Sequence, residues 1–166
     1  MMFSPQLRLI ELATSLVGTH EVGGENKGPD VEAFQRTVDG KAQGEAWCLA
    51  FVQYCVTGVC DEMGVPNPLF PTEHCMTLWD KTHFSKRTQT PEPGMLILWQ
   101  HYKDGKPTMQ GHVGIVARVS DRYVDTIEGN TGSGKGVVRE GDGVYARQRN
   151  LGDAGAMHLK GYIKVW

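Results

Sequence analysis

No stretch of this 166-residue chain approaches the ~20 consecutive apolar residues that cross a bilayer, so no membrane insertion is expected. A charge excess is missing too. Lys plus Arg total 17 against 19 Asp plus Glu, a formal net charge of -2, which removes the basic field that nucleic-acid binding needs. Met1 to Glu11 lacks a basic segment followed by an unbroken apolar run, and it is read as part of the fold instead of as a Sec leader. No CxxC pair occurs, so Cys48, Cys55, Cys60 and Cys75 are expected to be reduced thiols and not a disulfide framework. Glu25, Asn26 and Asp30 do not spell a D-x-[DN]-x-[DN]-G calcium loop, and Cys55, Cys60, His74 and Cys75 match no familiar zinc spacing. Neither a metal nor another cofactor is expected.

The chain has the length of one domain, 1–166, with a core large enough to stand without staples. Its 21 Gly and 8 Pro predict many turns. Ser4 and Pro5 open an amphipathic helix with apolar residues at 9, 10, 13, 16 and 17 and Gly18 at its close. Pro29-Asp30 leads a second helix carrying Val31, Phe34 and Val38, and Thr72 is placed to cap a short helix reaching Trp79. From Pro91 the period shortens. Met95–Trp99, His112–Val119, Tyr123–Glu128, Val144–Arg149 and Tyr162–Val165 read as strands. Helices first and strands afterwards predict an α+β domain, N-terminal helices packed on a C-terminal antiparallel sheet.

The most apolar helical stretch starts at Cys48, with apolar residues recurring at 48, 51, 52, 55, 56 and 59 and Gly64 as its latest end. Alone, a helical cysteine reads as a small buried hydrophobe. In the first turn, however, unpaired N–H groups and the positive end of the helix dipole favour thiolate, the attacking form of the residue. A base would complete the chemistry. If Ser120-Asp121-Arg122 is a three-residue loop, position 119 faces 123 and 114 faces 128, so His112, Glu128 and Asn130 share one face. Val113, Ile115, Ala117 and Ile127 then occupy the other. Cys48 as nucleophile, His112 as base, and Glu128 or Asn130 orienting the imidazole would supply the three roles of thiol catalysis.

Gly129 to Gly136 nearly spells a phosphate-binding loop, but Gly136 stands where Ser or Thr is required, and Val137 to Gly141 reads as hairpin and not as helix. His74 and Cys75 are adjacent, so on a helix their side chains diverge by about 100 degrees, a poor nucleophile–base geometry.

Trp47-Cys48-Leu49-Ala50-Phe51-Val52, Gly111-His112-Val113-Gly114-Ile115-Val116 and Ile127-Glu128-Gly129-Asn130-Thr131 resemble, in order and spacing, the signature blocks of the CHAP family, the cysteine, histidine-dependent amidohydrolases/peptidases. Pro93 to Trp99 looks like that family's first sheet strand, and the tail is similar to phage and prophage members. The resemblance implies a papain-like (NlpC/CHAP-type) fold and hydrolysis of an amide bond in peptidoglycan, either between muramic acid and the stem peptide or within the peptides. It assigns Cys48 as nucleophile, His112 as general base, Glu128 as the residue orienting it and Asn130 as an auxiliary polar position. Trp47 and Leu49 stand where related NlpC-type endopeptidases carry Asp and Ser, which favours the CHAP reading.

The Cys48 backbone N–H would serve the oxyanion, with Gln43 as a side-chain donor, while Trp47 and Trp99 either line the substrate groove or pack in the core. Two delivery contexts fit a chain made in the cytoplasm and carried to the periplasmic wall without Sec. One is a phage lysin released through a holin. The other is a secreted antibacterial effector restrained by an immunity protein. The alternatives are a catalytically silent wall-binding or phage-structural module of the same fold, and an intracellular thiol protease.

Overall fold

A computed structural model describes residues 4–151 and 155–166; Met1 to Phe3 of the N-terminal segment lie outside it. Four helices, α1 (Pro5–Ser15), α2 (Pro29–Asp39), α3 (Cys48–Met63) and α4 (Cys75–Lys81), precede a sheet of six strands. These are β1 (Arg87–Thr88), β2 (Leu96–Lys103), β3 (Lys106–Val119), β4 (Tyr123–Thr131), β5 (Gly143–Asn150) and β6 (Met157–Ile163), in the spatial order β1-β6-β2-β3-β4-β5 with antiparallel neighbours. The α+β, papain-like reading holds.

The apolar stripe of α3 explains its central place. Every position of the expected face is buried, and so are Leu49, Ala50, Gln53 and Cys60, so the helix is enclosed over most of its girth. It ends at Gly64, whose φ of 67° is the left-handed conformation that glycine adopts without a Cβ penalty. Close approach to the sheet depends on Gly129: a Cβ there would lie 2.6 Å from Phe51 Cβ. Val113, Ile115 and Ile127 join the helix-side core as expected, with Ala117 packed at its edge.

Several boundaries differ from expectation. α1 stops at Ser15 and not near Gly18, because residues 18 to 20 turn to pair with β5 through Gly18 N–H to Val144 O (3.0 Å) and Val144 N–H to Thr19 O (2.9 Å). Val17 is consequently exposed. Thr72 does not cap α4. Its hydroxyl accepts from His74 N–H (3.1 Å) in a local turn, and the helix starts at Cys75. Residues 132 to 142 form neither the expected hairpin nor a helix.

The β3–β4 turn corrects one premise and keeps its result. Three residues separate the strands as expected, but Val119 pairs with Val124 and not with Tyr123. A bulge between Val116 and Arg118 then absorbs one residue, and Ile115 pairs with Ile127, the register that a 119–123 pairing implied. His112 and Glu128 therefore do share a face.

Candidate active site

Cys48 is the first residue of α3, and no side chain caps that helix end, so its backbone N–H has no intrahelical partner. The thiol forms part of the wall of a cavity of about 220 Å³, together with Cys75, Glu73, Gly111, Arg139 and Glu140. His112 comes from β3 and is fully buried behind it. Its Nε2 lies 2.8 Å from Glu128 Oε2. Its Nδ1 has no partner of regular hydrogen-bond geometry and is the ring nitrogen left to act on Cys48.

Glu128 reaches the ring because β3 has no side chain in the way at Gly114, where a Cβ would fall 2.7 Å from Glu128 Cγ. The carboxylate is held from three further directions. Thr126 Oγ1 donates to Oε1 (2.5 Å), while Arg149 donates from Nε to Oε1 (2.9 Å) and from Nη2 to Oε2 (2.7 Å). A planar guanidinium suits this two-point hold on a carboxylate. Arg149 is itself only 3 % exposed, and its Nη1 donates to Gly136 O (2.7 Å), so the same side chain anchors the glycine-rich loop.

The electrostatics follow from these contacts. A hydrogen bond with the Cys75 thiol, 3.7 Å between sulfurs, is the largest influence holding the Cys48 thiol well below its usual range. Burial opposes it, and His112 and the Val113 N–H add to it. Burial by itself would lower His112, but Cys48 and Glu128 outweigh it and raise the imidazole to about 9. Burial would likewise raise Glu128, yet Arg149 and His112 bring it down to about 2. These contacts favour a buried row of alternating charge, thiolate, imidazolium, carboxylate and guanidinium.

The other expected site residues fall elsewhere. Asn130 is buried but does not meet His112. Its φ of 52° and the bulge between Glu128 and Thr131 turn it out of the strand's alternation, and its Oδ1 accepts from Gly141 N–H (3.0 Å). Trp47 is a core residue, fully buried against Phe34 (5.7 Å) with Nε1 donating to Glu21 Oε1 (2.9 Å). Trp99, also buried, packs its ring 5.8 Å from that of His112 and beneath Arg149, so it backs the base and does not line the cavity. Gln43 is exposed and outside the cavity wall.

Three residues missed by the sequence reading matter here: Arg149, Cys75 and Glu73. Glu73 stands in the cavity wall with a buried Oε1 that lacks a partner, and burial together with nearby Glu45 pushes it up to about 7. Among the described residues no group of three or more His, Cys, Asp or Glu is arranged to hold a metal ion.

Comparison with known families matches residues 40–130 to the CHAP domain. The chain belongs to the CHAP family. CHAP domains are generally cysteine, histidine-dependent amidohydrolases, and membership supports a hydrolase here. Searches of curated proteins and of solved structures found no match. The matched stretch of this CHAP domain contains Cys48, His112 and Glu128, and it ends before Arg149.

Proposed function

We propose that this CHAP protein cleaves an amide bond of peptidoglycan, muramoyl–L-alanine or stem/cross-bridge peptide, by a Cys48–His112–Glu128 mechanism. The observation that carries the reading is the buried relay from Glu128 through His112 to a thiol in a cavity wall, at the free N-terminus of a helix. The Cys48 thiolate attacks the amide carbonyl, and the developing oxyanion is met by the Cys48 N–H at the start of α3. His112, protonated, gives its proton to the departing amine. The neutral imidazole then takes a proton from water, whose oxygen attacks the thioester and returns the thiolate. Glu128 keeps the ring oriented and stabilises its charge, and Arg149 acts through Glu128 as a positioning residue.

Family membership supports the peptidoglycan substrate, and Glu73, with its buried Oε1 unpaired, offers the cavity an acceptor suited to a peptide's ammonium group. On this reading the protein works at the wall outside the cytoplasm, as a phage lysin or a secreted antibacterial effector. The test is digestion of defined sacculi by native protein and by Cys48→Ala, followed by mass spectrometry of the muropeptides. New amine and carboxyl termini are expected from native protein alone. Identical products from both, or none from either, would remove the assignment, and casein cleavage without attack on sacculi would replace the substrate.

A further inference from the structure

The cavity wall holds a second thiol for which the hydrolytic steps have no covalent use. Cys48 opens α3 and Cys75 opens α4, so two helices from separate parts of the chain bring their first residues to the same opening. The sulfurs are 3.7 Å apart, each residue only 4 % exposed, and that small exposure is onto the cavity. Cys55 and Cys60 are different. Cys55 lies two turns along α3, about 10 Å from Cys48 by helix rise, and both it and Cys60 are buried in the apolar core and absent from the cavity wall.

We propose that Cys75 is a resolving cysteine: a peroxide entering the cavity oxidises Cys48 to a sulfenic acid, and Cys75 captures it as a Cys48–Cys75 disulfide that holds the nucleophile in a reducible form. In the first step the Cys48 thiolate attacks one peroxide oxygen. An S–O bond forms, the O–O bond breaks, and the departing hydroxide takes a proton from His112 or solvent to leave as water. In the second step Cys75 attacks the Cys48 sulfur. The S–S bond forms as the S–O bond breaks, and the Cys75 proton leaves with the hydroxide as a second water. Two thiols have lost two electrons and one peroxide has gained them.

The approach required is short. The sulfurs must close from 3.7 Å to about 2 Å. The surroundings also order the steps. The Cys75 thiol is held well above its usual range, first by its hydrogen bond to the Cys48 sulfur and then by burial, so Cys48 is the thiolate that meets the oxidant. Converting that anion to a neutral sulfenic acid removes the main influence keeping the proton on Cys75. The device protects a sulfur that would otherwise proceed to the sulfinic acid, which thiols do not restore.

The inference rests on Cys48 being the reactive thiolate of the proposed function, but not on which bond is cut. Native protein, Cys75→Ser and Cys75→Ala are each treated with an excess of hydrogen peroxide, enough to carry an unprotected thiol past the sulfenic acid. Intact mass, non-reducing peptide mapping and iodoacetamide labelling are then read before and after dithiothreitol. Native protein is expected to lose two hydrogens, to yield a linked peptide pair containing Cys48 and Cys75, and to regain Cys48 labelling on reduction. Both variants are expected to give a dimedone-trappable Cys48 that passes to the sulfinic acid and stays unlabelled after reduction. The same sulfinic product from native protein, or a link joining any other pair, overturns the proposal. Should either variant fail to fold, the native peptide map decides alone. Muropeptide release by reduced native protein is scored separately, so an active hydrolase that forms no such link sinks this inference only, and a linked protein inert on sacculi sinks the proposed function only.

Discussion

On the helix side of the sheet, Val113, Ile115 and Ile127 share a wholly apolar core with Leu49, Phe51 and Val52 of α3; on the other side, a smaller core around Ile97, Trp99 and Val116 borders Trp99's neighbours His112 and Arg149, with Glu128 between them. Both regions exclude water, yet they hold together differently. The first depends on packed volume, and its loss is graded by the size of the cavity that a removed side chain leaves. The second depends on every ionic partner being present, because a charge left alone in the interior costs far more than the pair gained. The nucleophile is delivered by the packed apolar region and its base by the ionic one.

The comparison is broken most sharply by Arg149→Met set beside Leu49→Ala. Removing the guanidinium strands Glu128 with His112 and Thr126 as its remaining partners, for a loss of about 3–5 kcal/mol by urea unfolding. Leu49→Ala is expected to cost a similar amount, about 2–5 kcal/mol. Activity separates them: turnover per folded molecule falls at least tenfold, on the order of 1.4 kcal/mol of barrier, in Arg149→Met and stays near native in Leu49→Ala. Equal turnover would show that Arg149 is only a structural anchor.

Acid sharpens the same contrast at a slightly smaller scale. Glu128 sits at about 2 in the folded protein against the ordinary 4.5, so its ionisation favours the folded state by about 3 kcal/mol above pH 4.5. That contribution fades as pH falls from 4.5 through about 2. Urea unfolding between pH 7 and pH 2 should therefore show a steep acid loss in native protein and in Leu49→Ala alike, and a shallower one in Glu128→Gln from a lower starting stability. An unchanged acid slope in Glu128→Gln would mean that this carboxylate is not the group responsible.

How much of this could be read from residues alone follows the same division. The α3 stripe at 48, 51, 52, 55, 56 and 59 is periodic, and periodicity is local, so both its burial and its Gly64 end were legible. The His112–Glu128 pairing was legible through strand parity, although the Ala117 bulge was needed to offset a one-residue shift in pairing at the turn, and bulges leave little trace in a sequence. One plain signal was passed over. Asp104-Gly105, with φ of 52° and 73°, makes the tight β2–β3 turn in which Lys103 pairs with Lys106. Arg149 and Cys75 were not legible in their roles. Arg149 meets Glu128 across a strand pair 21 residues apart, and Cys75 meets Cys48 across 27, with no spacing rule to join either pair.

The smallest expected effect concerns Asn130, whose side chain the sequence placed with His112 and the structure places on the Gly141 N–H. Its φ of 52° is left-handed, so alanine would add backbone strain to the lost hydrogen bond, whereas glycine removes the bond without the strain. Asn130→Gly is accordingly expected to lose about 1 kcal/mol of stability. Asn130→Asp keeps the acceptor but buries a carboxylate without a cation, and should lose more. Neither touches the imidazole. Because His112 must carry its proton to release the amine, hydrolysis should fall as pH rises through about 9, and Asn130→Gly should keep that limb in place. Glu128→Gln removes one of the influences raising His112 and should move the limb to lower pH. If Asn130→Gly moved it as far as Glu128→Gln does, Asn130 would join the machinery that orients the base, and the loop contact would be incidental.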